Sequence, residues 1–173
     1  MSATQAGEQG RGTDLKKEIE DAIAGNRIAL LGQKVFSIPG NDVLQMEILS
    51  SLTGSDGKPI AAGSFVPVAS QHGLLALLDQ KVIEQTIAAM KRIGSMPRAI
   101  SVNVSMQSIS SASFRSALRN LLTADRPAAG RLVFEVTGYA ASRSPELTRG
   151  FSDELHGLGA RVRGGFHRVP QPK

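Results

Sequence analysis

The chain has 173 residues, 41% hydrophobic and 20% charged, with 20 Lys and Arg against 15 Asp and Glu for a net charge of +5. That is room for one domain with a real core, and the absence of cysteine excludes disulfides, thiolate metal sites and a Cys nucleophile. The basic residues are scattered, the longest runs being pairs such as Lys16-Lys17 and Lys91-Arg92; with six Phe, one Tyr and no Trp there is little for base stacking, so nucleic acid is not an expected partner.

The longest nearly apolar run, Gly73 to Leu78, is far too short to span a bilayer. The N-terminus lacks the basic start and apolar core of a secretory signal. A soluble cytoplasmic protein is the expectation, and the lack of cysteine fits a reducing compartment.

Residues 1–12 are small, polar and Gly-rich and read as a disordered tail. Thr13 or Asp14 caps a predicted helix to about Ala24, with Leu15, Ile19, Ala22 and Ile23 on one face. Gly25-Asn26 closes it as a left-handed signal. Arg27 to Ile38 is a predicted strand, ended by Pro39-Gly40-Asn41. Val43 to Leu52 is the next, rich enough in branched residues to be buried on both faces. A two-glycine turn, 54–59, follows. Ile60 to Val68 reads as irregular because Pro59 before it and Pro67 within it block a long regular element.

Ser70 caps a predicted helix from about 71–73 to Ile93, which Gly94 stops ahead of Pro97. Ala99 to Val104 is a short strand. A helix over 111–123, a loop over 127–130 and a strand over 131–136 come next. Ser144-Pro145-Glu146 starts a helix to about Gly157. Ala160 to Val162 begins one more strand, and 164–173 reads as a tail. From residue 99 the order strand, helix, strand, helix, strand is the pattern of parallel β/α units.

Glu47 stands in the middle of its apolar strand, where a charge is costly unless paired or bound to metal. Asn103 and Glu135 fall at or near the carboxyl ends of two later strands. In a β/α barrel such ends converge on one mouth. Two carboxylates and an amide oxygen make a hard donor set, suited to Mg²⁺ or Mn²⁺ rather than Zn²⁺. The plainer readings are a solvent-seeking Glu47, a turn-capping Asn103 and a Glu135 paired with Arg131. His72, His156 and His167 lie far apart without spaced partners and read as surface residues. No Gly-x-Ser-x-Gly, P-loop or dinucleotide fingerprint occurs.

Residues from about 14 to 162 resemble the N-terminal part of the EAL domain family, the cyclic di-GMP phosphodiesterases and their degenerate receptor relatives. Gln33 stands where that family has a Gln-Pro pair. Met46-Glu47-Ile48-Leu49 resembles the Glu-Ala-Leu signature. Phe65-Val66-Pro67-Val68-Ala69 with Gly73-Leu74 resembles its Phe-Ile-Pro-Leu-Ala…Gly-Leu segment. Ser101-Val102-Asn103-Val104-Ser105 resembles the Val-Asn-Leu-Ser strand, and Leu132 to Thr137 the Glu-Ile-Thr-Glu strand.

The resemblance implies an incomplete TIM-like (β/α) barrel, some five strands of eight, with an N-terminal helix. It implies Glu47, Asn103 and Glu135 as metal ligands, and Gln33 and Leu49 as substrate contacts. The family's reaction is two-metal, in-line attack of water on one phosphodiester.

The departures point away from activity. The Pro after Gln33 is Lys34, and the family's phosphate-contacting Arg is Ser51, which loses an oriented guanidinium. The second Glu of Glu-Ile-Thr-Glu is Gly138. The Asp-Asp pair falls on Gly165 and Phe166, and the later Lys and Glu have no counterpart. The expected domain is therefore a truncated, degenerate one over 13–163, catalytically inactive, with a frameshift as one origin of the abrupt change near Arg163. Its expected roles are cyclic di-GMP binding or association with a protein or a second copy through an exposed sheet edge. The competing reading is a metal-dependent phosphodiesterase completed by a partner chain.

Overall fold

The computed structural model describes residues 3–38, 40, 42–93, 96–137 and 142–165. Helix α1 (Ala3–Ala24) leads into an antiparallel pair, β1 (Ile28–Phe36) and β2 (Val43–Thr53). Short β3 (Pro59–Ile60) folds back on β2. Helices α2 (Ala62–Gln71) and α3 (Leu75–Arg92) cross to β4 (Ile100–Asn103). Then come α4 (Met106–Ser110), α5 (Ala112–Ala124), α6 (Arg126–Ala129), β5 (Leu132–Thr137), α7 (Pro145–Gly157) and β6 (Arg161–Gly165). The sheet order is β1-β2-β4-β5-β6, with β2, β4, β5 and β6 mutually parallel. This is the expected α/β architecture of an incomplete TIM-like barrel, and β3 makes six strands rather than five among the described residues.

Register sorts the side chains. Met46 and Ile48 lie beside Ile100 and Val102, which lie beside Leu132 and Phe134. Ile48, Ile100, Val102, Leu132 and Phe134 share one buried cluster with helix residues such as Val82, Ile83, Leu118 and Phe151. Because strand side chains alternate, the intervening residues face the other way. That second row holds Glu47, Ser101, Asn103, Glu135 and Arg163.

Several boundaries differ from the sequence expectations. α1 begins at Ala3, so 3–12 continue its helical backbone rather than forming a tail. Ala, Gln, Glu and Arg in that stretch are good helix formers. β2 is exposed only at its start, at Val43 and Leu44; beyond them Gln45 is buried on one face and Ile48 and Leu52 on the other. The stretch read as irregular is α2, which holds Pro67 inside it. The helix gives up one backbone bond there and gains burial of Phe65 and Ala69.

The helix expected from 71–73 to Ile93 is α3, which starts at Leu75; Gly73, between α2 and α3, has a φ of 70° that an L side chain would resist. The loop at 127–130 is largely the short α6, capped by Asp125, whose side chain accepts from the Ala128 amide. Asn26, with φ 55°, is the left-handed residue that ends α1. Gly164 and Gly165 belong to β6 rather than to a tail. Pro39, Asn41, Gly94, Gly138, Phe166 and His167, and the rest of 166–173, lie outside the described residues.

Two polar ties fix the periphery. Glu18 on α1 accepts from Arg27 Nη2 at 2.9 Å and from the Ser55 amide at 2.6 Å, holding the helix to the β2–β3 turn. Glu154 on α7 receives Arg115 and Arg119 of α5. Burial alone would raise its pKa, but those two guanidinium bonds hold it below the usual carboxylate range.

In the core, Phe134 and Phe151 meet edge to face, centroids 6.3 Å apart at 72°. Phe151 is fully buried and joins α7 to β5. Phe151→Ala is expected to cost about 3–5 kcal/mol. Chemical denaturation followed by far-UV circular dichroism checks this, and an unchanged midpoint would refute it.

Candidate functional site

The carboxyl ends of parallel strands in a β/α sheet gather side chains because each strand turns into its following helix there. Asn103 is the last residue of β4 and Glu135 sits two residues before the end of β5. They are direct register partners, and Glu135 is in turn the partner of Arg163 on β6. Glu47 lies one row back, opposite Ser101 on β4 and Gln33 on β1.

The side chains join in two groups. Asn103 Nδ2 donates to Glu47 Oε1 at 3.1 Å. Glu135 is 8% exposed, and Gln45 Nε2 donates to its Oε1 at 3.1 Å. The same Nε2 donates to buried Ser101 Oγ at 3.3 Å. Gln45 Oε1 accepts from Arg163 Nη1 at 3.1 Å. Both ends of the Gln45 amide are thus engaged, and the chain Arg163–Gln45–Glu135 crosses from β6 to β2 and back to β5 over the polar face. The reading of Glu135 as paired with Arg131 does not hold. Arg131 instead donates to the carbonyls of Met96 and Pro97.

Beside these groups opens a cavity of about 640 Å³. Leu31, Leu49, Phe65, Val66 and Leu78 supply apolar wall, while Ser51, Asp79, Asn103, Ser105, Glu135 and Thr137 supply polar atoms. Leu49 therefore lines it; Gln33 is exposed on β1 and is not among its lining residues. His72 and His156 are exposed, in agreement with a surface role.

Gln45, Ser101, Arg163 and Asp79 went unnoticed in the sequence reading. Gln45 and Glu47 are two apart on one strand, so the period of two already places them on one face. Asp79 gave no such signal. It sits on α3, and its Oδ2 accepts from the Ser105 amide at 2.8 Å and from Ser108 Oγ at 2.6 Å. It thereby anchors the β4–α4 turn just beyond Asn103.

A family model described as the EAL domain matches residues 16–163. The chain belongs to the EAL domain family. It is 28% identical over 150 residues to the cyclic di-GMP phosphodiesterase PdeF of Escherichia coli K12, covering 86% of this chain and 20% of that one. It superposes on the S helix-GGDEF-EAL structure of Vibrio cholerae LapD bound to c-di-GMP with a TM-score of 0.79 at 24% identity, covering 87% of this chain and 36% of that one.

The Xanthomonas citri FimX EAL domain in complex with c-diGMP gives 0.79 at 16% identity, covering 91% and 62%. The PaMucR phosphodiesterase–c-di-GMP complex gives 0.78 at 19%, covering 92% and 66%. These likenesses establish the EAL fold, which is TIM-barrel-like. The chain spans a fifth of PdeF and between about a third and two thirds of the structural neighbours.

Among the described residues no group of three or more His, Cys, Asp or Glu is placed to hold a metal ion. Glu47, Glu135 and the Asn103 amide suit at most one hard cation that keeps several waters, as Mg²⁺ does. They do not suffice for two.

Asp79 carries a pH signature. Burial pushes its carboxyl above the usual Asp range, against the opposing bonds from Ser108 and Ser105. A carboxyl whose pKa is higher folded than unfolded contributes stability at low pH that is lost as pH rises through the folded value. The wild type should therefore lose stability relative to Asp79→Asn as pH rises above the ordinary Asp range, since Asn accepts the same bonds without a charge. Thermal melts of both proteins across an acid-to-neutral series check this; a Tm difference that stays constant, or shifts in the wild type's favour, as pH rises would refute it.

Proposed function

We propose that this chain is a cyclic di-GMP-binding EAL domain that does not hydrolyse its ligand. The observation that carries the reading is the cavity at the strand ends. It combines apolar side chains, able to take a flat base, with polar ones that, among the described residues, fall short of a two-ion set. Family membership supports the ligand class, and the LapD, FimX and MucR structures each hold c-di-GMP. Ser51 lines the cavity where the family resemblance calls for a phosphate-binding Arg, which favours weak binding.

One observation favours a second reading. Glu47, Asn103 and Glu135 stand in adjacent rows of one face, a placement that a metal-dependent phosphodiesterase would need. In that reading the ion would lower the pKa of a bound water, and a partner chain would supply the remaining ligands.

Calorimetric titration with cyclic di-GMP, with and without Mg²⁺, separates the two. Binding that Mg²⁺ leaves unchanged, with no linear dinucleotide formed at high protein concentration in Mg²⁺ or Mn²⁺, is expected. Turnover abolished by Glu47→Ala would replace the first reading by the second, and no heat at all would defeat both.

Ser51→Arg gives an independent check. Returning a guanidinium to the cavity wall should tighten cyclic di-GMP about tenfold, or ~1.4 kcal/mol. Equal affinity in the two proteins would mean that the phosphate does not sit at this wall.

A further inference from the structure

We infer that Arg163 is a built-in cation that takes over the charge role of a divalent ion at Glu135, making this site indifferent to Mg²⁺ and Mn²⁺. The inference rests on the proposed site of Glu47, Asn103 and Glu135. It adds what sets that site's metal response.

Glu135 is a carboxylate on a buried strand, 8% exposed. A buried carboxylate needs a compensating charge or strong donors. Its hydrogen-bond donor is the neutral amide of Gln45, at 3.1 Å. That amide is itself held at its oxygen by Arg163 Nη1, also at 3.1 Å. A guanidinium on the carbonyl oxygen polarises the amide and makes its N–H a stronger donor toward Glu135. The positive charge thus reaches the carboxylate through one fixed side chain. Register reinforces this: Arg163 is the β6 partner of Glu135, so both residues project from the same row. Arg163 and Glu135 do not form a direct ion pair among the described contacts, and the amide holds the guanidinium to one side of the carboxylate.

A guanidinium is always charged at physiological pH and cannot step aside by deprotonation. A divalent ion at Glu135 would sit in the repulsive field of that fixed charge, in a partly buried setting where salt screens weakly. It would also share Glu135 with the Gln45 N–H, whose bond restricts the directions from which it could approach. The two effects act in the same direction, against metal.

Arg163 stands on the outermost described strand and the residue is exposed overall, so replacing it need not disturb the core. The test is Mn²⁺ binding, followed by the electron paramagnetic resonance signal of free Mn²⁺, on the full chain without nucleotide. Wild type is expected to leave millimolar Mn²⁺ free. Arg163→Gln removes the charge and should bind Mn²⁺ at least tenfold tighter, with Glu135→Gln reversing the gain. Arg163→Lys keeps the charge and should stay as weak as wild type.

Equal Mn²⁺ affinity in wild type and Arg163→Gln would overturn the inference. So would an Arg163→Lys that gains as much as Arg163→Gln, because the cause would then be the lost fork and not the charge. Should Arg163→Gln fail to melt cooperatively, the wild type alone decides: a sub-millimolar Mn²⁺ site that Glu47→Gln removes would refute the inference. Calorimetry with cyclic di-GMP on the same proteins is read separately, so failure of the ligand reading and failure of the Arg163 inference stay distinguishable.

Discussion

Parallel register between β2, β4, β5 and β6 is the constraint on which both faces of the sheet depend. Ile48 beside Val102 and Val102 beside Phe134 align an apolar row against the helices. The same pairing forces Asn103, Glu135 and Arg163 into one polar row on the opposite face. A slip of one residue in any strand would exchange the two rows, placing a carboxylate among Phe114, Leu118 and Phe151. The apolar row makes that exchange prohibitive, since several side chains of Leu or Phe size would lose about 1.5–3 kcal/mol of burial each. The core therefore fixes the site's geometry without touching its chemistry.

The parts of the fold that could be read from sequence are those in which local pattern and tertiary environment agree. β5 is buried along its first five residues, and Leu-Val-Phe-Glu-Val carries the continuous apolar signal of a central parallel strand. α7 starts with Pro145 in its first turn, and α5 is capped by Ser111, whose side chain accepts from the Phe114 amide. What misled were residues whose local preference is overridden. Pro67 argues against a helix, but burial of Phe65 and Ala69 beside it decides otherwise. Met106 to Ser110 is too short and Ser-rich to show a period. It is helical because Ser105 caps it and Asp79, 26 positions earlier, holds that cap.

The site was legible only in part, for a related reason. Carboxylates in apolar strands stand out because their burial is costly, which drew attention to Glu47 and Glu135. The residues that offset that cost are neutral or common and stand out in no window of the sequence. Gln45 is 90 positions from Glu135 and Arg163 is 118 from Gln45. Only the sheet brings them together, so no local pattern could have linked them. The resemblance to the EAL family located the carboxylates by their motifs, but it carried no counterpart of an arginine in β6.

The distinction between a binding site and a two-ion centre turns on what the donors are already doing. Metal-assisted displacement needs oxygens arranged around the ion before substrate arrives, because reorganising them during the reaction raises the barrier. Here one oxygen of Glu47 accepts the Asn103 amide, and one oxygen of Glu135 accepts Gln45. Each oxygen keeps a second lone pair for a cation, but the bond it already makes restricts the directions from which a cation could approach. Asn103 presents its N–H₂ to Glu47, which turns its carbonyl oxygen away from that carboxylate; an amide flip would reverse this only by losing the bond. On the proposed binding reading, a ligand in the adjoining cavity is free of that restriction. Its bases would contact Leu31, Leu49 and Phe65, and its polar groups would meet Ser51 and Thr137, all of which line the cavity. On that proposed reading the arrangement favours occupancy over chemistry, through the bonds its own side chains make with one another.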